Sequence, residues 1–185
     1  MRVLSSGIHS RAVTRLLSVF FLLGALAAQS DQPMPRIEGE SFAGQKVVLP
    51  DAARGKVAVL VFGFTKASKE PTSAWANKIQ SEFGTRSAFV LYQLPVLESV
   101  PRLIRGMVIS SIKKGVPENM RAHFVPILQN EAELKKLVNY KESDDAYLVV
   151  LDSDGQVVRQ AEGQFSEGAY GQFRTNLESL LNRQR

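Results

Sequence analysis

One stretch constrains this chain more than any other: VAVLVFGFTKASKEPTSAW, from Val57 to Trp75. Val57 to Phe64 is a short, nearly unbroken apolar run that follows Arg54-Gly55-Lys56. Its length and content predict a central strand covered on both faces. A polar loop comes next: Thr65, Lys66, Ala67, Ser68, Lys69 and Glu70. A helix then opens near Pro71, because a proline in the first helical turn gives up an N–H that would have no partner there. Trp75, Ile79 and Phe83 recur at four-residue spacing and predict the buried stripe of that helix. The chain contains no cysteine, so nothing in this loop can act as a thiolate nucleophile.

The remaining elements follow from pattern. Ile37 to Pro50 reads as a hairpin turning at Gly44-Gln45. Ser87 to Leu94 reads as a strand, and its short link to the preceding helix suits a right-handed strand-helix-strand unit. Ser99 as N-cap and Pro101 in the first turn open a helix ending at Gly115. Val100, Leu103, Ile104, Met107 and Val108 supply its apolar spacing. His123 to Leu128 is extended. Asn130 with Glu133 predicts a capping box for a helix at about 131–140. Tyr147 to Leu151 and Val157 to Ala161 pair around Asp152-Ser153-Asp154-Gly155. Ser166 caps a final helix with the stripe Ala169, Phe173, Leu177, Leu180 and Leu181.

Composition bears mainly on the N-terminus. Arg2, His9, Arg11 and Arg15 precede an apolar run, Leu16 to Ala28, that ends in Ala25-Leu26-Ala27-Ala28. This is the pattern of a secretory signal peptide over 1–28. The run is shorter than the roughly 20 residues of a spanning helix, and an uncleaved anchor stays open. Residues 29–36 read as a linker and 37–183 as one domain. Without residues 1–28, 20 basic residues face 18 acidic ones. So small an excess supports no nucleic-acid partner. Export permits disulfides, but with no cysteine the domain must rest on its core alone.

Two strings carry a family resemblance. FGFTKASKEP at 62–71 resembles the strand-loop-helix of thioredoxin-like proteins, especially the FGFT-H-C-x-x-x-C stretch of Sco-type copper chaperones. AYLVVLDSDGQVVRQAEGQF at 146–165 resembles the strand, turn and strand that close such domains, among them peroxiredoxin and TlpA-like members. The resemblance implies an α/β fold with a central mixed sheet flanked by helices, and a helical insertion at about 98–121. It places Lys66 at the family's histidine, Ala67 and Pro71 at its two cysteines, and Ala146 at the former cis-proline position. Thiol redox catalysis is therefore not expected. A thiol-independent peroxidase-like enzyme and a Sco-like metal carrier are the alternative readings. With no cysteine, a loop ending in Trp75, a helical insertion and a late strand turn at Asp152-Ser153-Asp154-Gly155, the chain is also similar to the thioredoxin-like assembly factor of the mitochondrial ATP synthase membrane sector and its bacterial relatives. That similarity implies a chaperone-like role beside a membrane.

Ser68 would need an adjacent base to act as a nucleophile, and only Lys66 and Lys69 are near in sequence. The same loop could bind an anion or peptide at a helix N-terminus, or be a plain solvated loop. His123 is the one histidine beyond the N-terminal segment, too few for a usual zinc site. Copper would need soft ligands, and Met34, Met107 and Met120 show no spacing motif. Asp152-Ser153-Asp154-Gly155 lacks the distal glutamate of a calcium loop, since position 163 is Gly. No metal or cofactor is expected. The insertion is the remaining candidate. Its apolar stripe and Arg102, Arg105, Lys113 and Lys114 suit contact with an unknown protein partner, such as a membrane protein, or with a membrane surface. The plain reading is a helix packed on its own sheet. The chain is thus read as an exported, non-catalytic binding or assembly module.

Overall fold

The Val57–Gly63 run forms strand β3, buried at every position before Gly63. The computed structural model containing it describes residues 34–183. The expected signal peptide and residues 29–33 of the expected linker lie outside the described residues. Successive side chains of a strand point to opposite faces, and β3 divides two cores in that way. Val57, Val59 and Val61 face one cluster. Ala58, Leu60 and Phe62 face the other.

β3 is central in a four-stranded sheet of order β4-β3-β5-β6. Helix α1 (Lys69–Phe83) leads from β3 to β4 (Phe89–Pro95), which pairs parallel to β3. On the other side β5 (Ala146–Leu151) runs antiparallel to β3, and β6 (Val157–Gly163) antiparallel to β5. The sheet is therefore mixed. β1 (Ile37–Glu40) and β2 (Lys46–Leu49) form the expected separate hairpin, with Gly44 at φ 79° in its turn. Met34, within the expected linker, packs in the core.

The first core face is closed by α1 and by α4 (Glu167–Arg183). The α1 stripe is as expected: Trp75, Ile79 and Phe83 are buried. Trp75 is 1% exposed, and its Nε1–H donates to the Gly163 carbonyl at 3.1 Å. Phe165 and Phe173 meet its ring edge-on at 5.4 and 5.6 Å. Ser166 caps α4 as expected, its Oγ accepting from the Ala169 N–H at 3.2 Å. The stripe of α4 needs one correction. Ala169 is exposed and Tyr170 takes its place, because the larger ring reaches Trp75.

The second face is closed by the hairpin, by α3 (Glu131–Leu137) and by the segment Phe124–Ile127, which forms isolated parallel bridges beside β4. Here two capping expectations fail. Ser99 does not cap the insertion helix α2 (Arg102–Gly115); Pro101 precedes its first residue. Asn130 adopts a left-handed φ of 65° and makes no side-chain cap. Instead Glu98 Oε2 accepts the Glu131 N–H, and Glu131 Oε2 accepts the Ser99 N–H at 3.0 Å. Each carboxylate thus satisfies a backbone donor of the other segment and pins the root of α2 to α3. The helix also ends before 140, since Leu137 is its last residue and Asn139 turns to φ 51°.

Two stability predictions follow from these contacts. Trp75→Ala should cost about 3–5 kcal/mol in denaturant melts. Trp75→Phe should cost less, because a phenyl ring keeps part of the packing and leaves a smaller void, although the hydrogen bond to Gly163 is lost as well. At the α2 root, burial raises the Glu131 carboxyl pKa, but the Lys135 ammonium and the Ser99 N–H outweigh it and hold the group below its ordinary value. Its stabilisation is full above the unfolded value of about 4.3 and is lost as pH falls through the lower folded value. Glu131→Gln should cost about 1–2 kcal/mol near neutrality. That gap to the wild type should close on acidification, as followed by urea melts across pH.

Candidate functional site

The loop after β3 is closed on itself. Ser68 is buried. Its hydroxyl donates to the Thr65 carbonyl at 2.9 Å and accepts the Thr65 N–H at 3.4 Å. Those backbone partners occupy the hydroxyl, and no general base is among them, so nucleophilic chemistry at Ser68 has no support. Gly63 permits this closure: a Cβ there would stand 2.8 Å from Ser68 Oγ. The Thr65 hydroxyl accepts the Ala67 N–H at 3.1 Å and donates to the Ser143 carbonyl at 2.5 Å. The loop is thereby tied to the segment before β5.

The N-terminus of α1 offers little to an anion. Such a site needs several free N–H groups. Pro71 has none, the Thr72 N–H bonds to the Ser68 carbonyl at 3.0 Å, and the Lys69 N–H to the Lys66 carbonyl at 3.3 Å. Glu70 adds a carboxylate in the same turn, and Lys69 lies 3.8 Å from it. Lys66 and Ala67 are exposed at the tip, whereas Pro71 is buried within the first turn. The two positions that the resemblance assigns to thiols thus have unlike surroundings.

Ala146 opens β5, fully buried and paired with Gly163. The cis peptide bond among the described residues is Leu49–Pro50, elsewhere in the fold. What shapes the segment before Ala146 is Tyr147, which the sequence reading missed as a site residue. Its hydroxyl accepts the N–H groups of Lys141 and Glu142, both at 2.9 Å, and donates to the Glu142 carbonyl at 2.9 Å. Phe64 and Tyr140 pack on the same ring at 5.6 and 5.4 Å. Lys135 Nζ sits 4.7 Å above Tyr140. Two tyrosines seven residues apart carry no motif, so only the fold reveals this cluster.

The other candidates separate widely. His123 ends a 3₁₀ turn at Glu118–His123, with its ring 5.2 Å from Tyr92. Burial, then Lys56, holds its imidazole below the ordinary value. Met34 is in the core and Met107 on α2. Among the described residues no three of His, Cys, Asp and Glu form a group able to hold a metal. The Asp152 turn is a hairpin turn: Asp152 Oδ1 accepts the N–H groups of Asp154 and Gln156 at 3.0 and 2.9 Å.

α2 is different in kind, since it has no fully buried residue. Its inner side is half-buried: Arg105, Val108, Ile109 and Ile112. Its outer side carries Leu103, 99% exposed, and Met107, 71% exposed, with Ile104 at 45% on the margin. Arg102, Lys113 and Lys114 are exposed on the same helix. Arg105 does not join them as a free charge. Its guanidinium folds back onto the carbonyls of Val100 and Glu98, at 2.9 and 2.6 Å, and fastens the helix start. Beside the inner side lies an open cleft of about 310 Å³, bounded by Ile109, Lys113, Phe42, Pro126 and Leu128.

The chain is similar to a structure described as a thiol:disulfide interchange protein DsbE from Chlorobium tepidum, at TM-score 0.57 and 17% identity over 81% of this chain and 96% of that one. It is similar to the exposed lipoprotein thioredoxin Etrx1 of Streptococcus pneumoniae strain TIGR4, at TM-score 0.54 and 15% identity, covering 77% and 99%. BsSco, a member of the Sco family of cytochrome c oxidase assembly proteins, gives TM-score 0.57 and 11% identity, covering 83% and 96%. The fold is thioredoxin-like. No protein-family profile matches the chain, and no curated protein matches it. This thioredoxin-like chain lacks the cysteine on which thiol exchange depends.

These surroundings generate a prediction for thiol replacement. A reactive cysteine needs a lowered pKa, supplied by free helix N–H groups or nearby positive charge. Here Pro71 has no N–H, the Lys69 and Thr72 N–H groups are bonded, and Glu70 stands in the first turn. Ala67→Cys with Pro71→Cys should therefore give no efficient insulin reduction. Rates like those of a thioredoxin would show that only the two thiols separate this loop from a working one.

Proposed function

We propose that the chain is an exported, non-catalytic thioredoxin-like module that serves assembly beside a membrane and binds through α2. One observation carries the reading: α2 projects Leu103 and Met107 into solvent while the rest of the domain closes two complete cores. A monomeric soluble protein seldom leaves large apolar side chains clustered in this way without a contact to make. The packed loop at Thr65–Ser68 supports the other half of the proposal, a scaffold kept without its chemistry. BsSco is itself named for an assembly family, and the resemblance to the ATP synthase assembly factor points the same way. Fold alone does not fix function, so the weight rests on α2.

No helix among the described residues is long and apolar enough to cross a membrane. Contact with a membrane protein or membrane surface would therefore be peripheral for this part of the chain. The test pairs an activity assay with a binding assay. Wild-type protein should show neither disulfide-reductase nor peroxidase turnover above a heat-denatured control. It should co-fractionate with native membranes, and Leu103→Asp with Met107→Asp should release it several-fold while leaving the denaturant midpoint unchanged. Turnover would overturn the non-catalytic half. Undiminished membrane association of the double variant would overturn α2 as the binding surface.

A further inference from the structure

We propose that the outer side of α2 docks on an anionic lipid surface, with Leu103 and Met107 entering the interface and Lys113, Lys114 and Arg102 above it. The inference rests on the reading of α2 as the binding surface and names what that surface meets. Its first support is charge. From Ser99 to Pro117 the sequence holds Arg102, Arg105, Lys113 and Lys114 and no acidic residue.

 Four basic residues and no acidic one leave this segment with a charge of +4. Arg105 is spent on the Glu98 and Val100 carbonyls. Arg102, Lys113 and Lys114 enter no salt bridge among the described residues. The second support is shape. A helix that lies in a membrane interface carries apolar side chains on one side and lysines or arginines along its margins. On α2, Arg102 and Lys113 fall at the margin of the Leu103–Met107 side, and Lys114 falls on that side toward the helix end, where its long stem can carry the ammonium up to the headgroups. The third support is rigidity. The Glu98–Glu131 exchange and the Arg105 clasp hold the helix root, so docking need not first order it.

The absence of cysteine makes a local test simple, because one introduced thiol takes the label alone. Full-length protein carrying Leu103→Cys, Met107→Cys or, as control, Gln172→Cys on α4 is labelled with an environment-sensitive fluorophore. Each is titrated with protein-free vesicles of phosphatidylcholine, with or without phosphatidylglycerol. Labels at 103 and 107 should shift to the blue and brighten several-fold on the anionic vesicles only, and the label at 172 should not change. Because the readout is local to α2, binding through residues 1–28 would not imitate it. Lys113→Glu with Lys114→Glu should weaken the response roughly tenfold or more. That effect should fade with salt, as the screening length shrinks from about 30 Å at 0.01 M to about 3 Å at 1 M. No shift on anionic vesicles, or equal shifts on neutral ones, overturns the lipid proposal. If that failure coincides with a Leu103 label that shifts on native membranes, α2 remains the binding surface and its partner is a protein.

Discussion

The structure depends on one strand that has water on neither side. β3 pairs with β4 and β5 through its backbone and fills two cores through its side chains. Each buried Val, Leu or Phe side chain contributes about 1.5–3 kcal/mol, and β3 has no exposed position at which to lose that gain. Everything else can be placed from it. The helical link to β4 puts α1 on one face, and α4 completes that face around Trp75. The opposite face collects the hairpin, α3 and the Phe124–Ile127 segment. A domain closed on both sides in this way needs no disulfide, which is why the absence of cysteine is compatible with the fold.

That closure also determines what the loop after β3 can do. In a catalytic arrangement the strand would deliver a reactive group to a helix N-terminus with free donors. Here Ser68 turns inward against Thr65, Pro71 withdraws a donor, and Thr65 reaches across to Ser143. The polar atoms satisfy one another. Across the gap, Tyr147 performs the same service for the Lys141 and Glu142 backbone. The Ser68, Thr65 and Tyr147 hydroxyls at this end of the domain are thus spent on backbone partners.

Much of this was legible in the sequence, for physical reasons that differ from element to element. β3 is readable because burial on both faces demands an unbroken apolar run. The α1 stripe is readable because helix period fixes Trp75, Ile79 and Phe83 on one side. Ser166 reads correctly as a cap because its partner is three residues away. The capping box at Asn130 does not, because Glu98, distant in sequence, takes the role that a local residue was expected to fill. Arg105 looks like one more free surface charge until the fold shows its guanidinium on the Glu98 and Val100 carbonyls. Ala169 looks like a core position by spacing, yet a tyrosine one residue on reaches farther into the core. Local chemistry is visible along the chain; partners brought together by topology are not.

The insertion is where these lines meet. A helix packed on its sheet would follow the plain expectation, but α2 has no buried residue, and Val108, Ile109 and Ile112 on its inner side are only half-buried. The outer side leaves Leu103 and Met107 in water although the same helix is anchored at its root by three separate carboxylate and guanidinium contacts. Anchoring and exposure together argue against a loosely packed element, since a helix free to settle would turn its leucine inward. The root holds α2 in an orientation that the hydrophobic effect alone would not select. Fixing an apolar side outward is useful only if something else removes it from water. On the proposed reading the domain divides its labour: a cysteine-free thioredoxin-like body supplies the platform, and the insertion carries the contact.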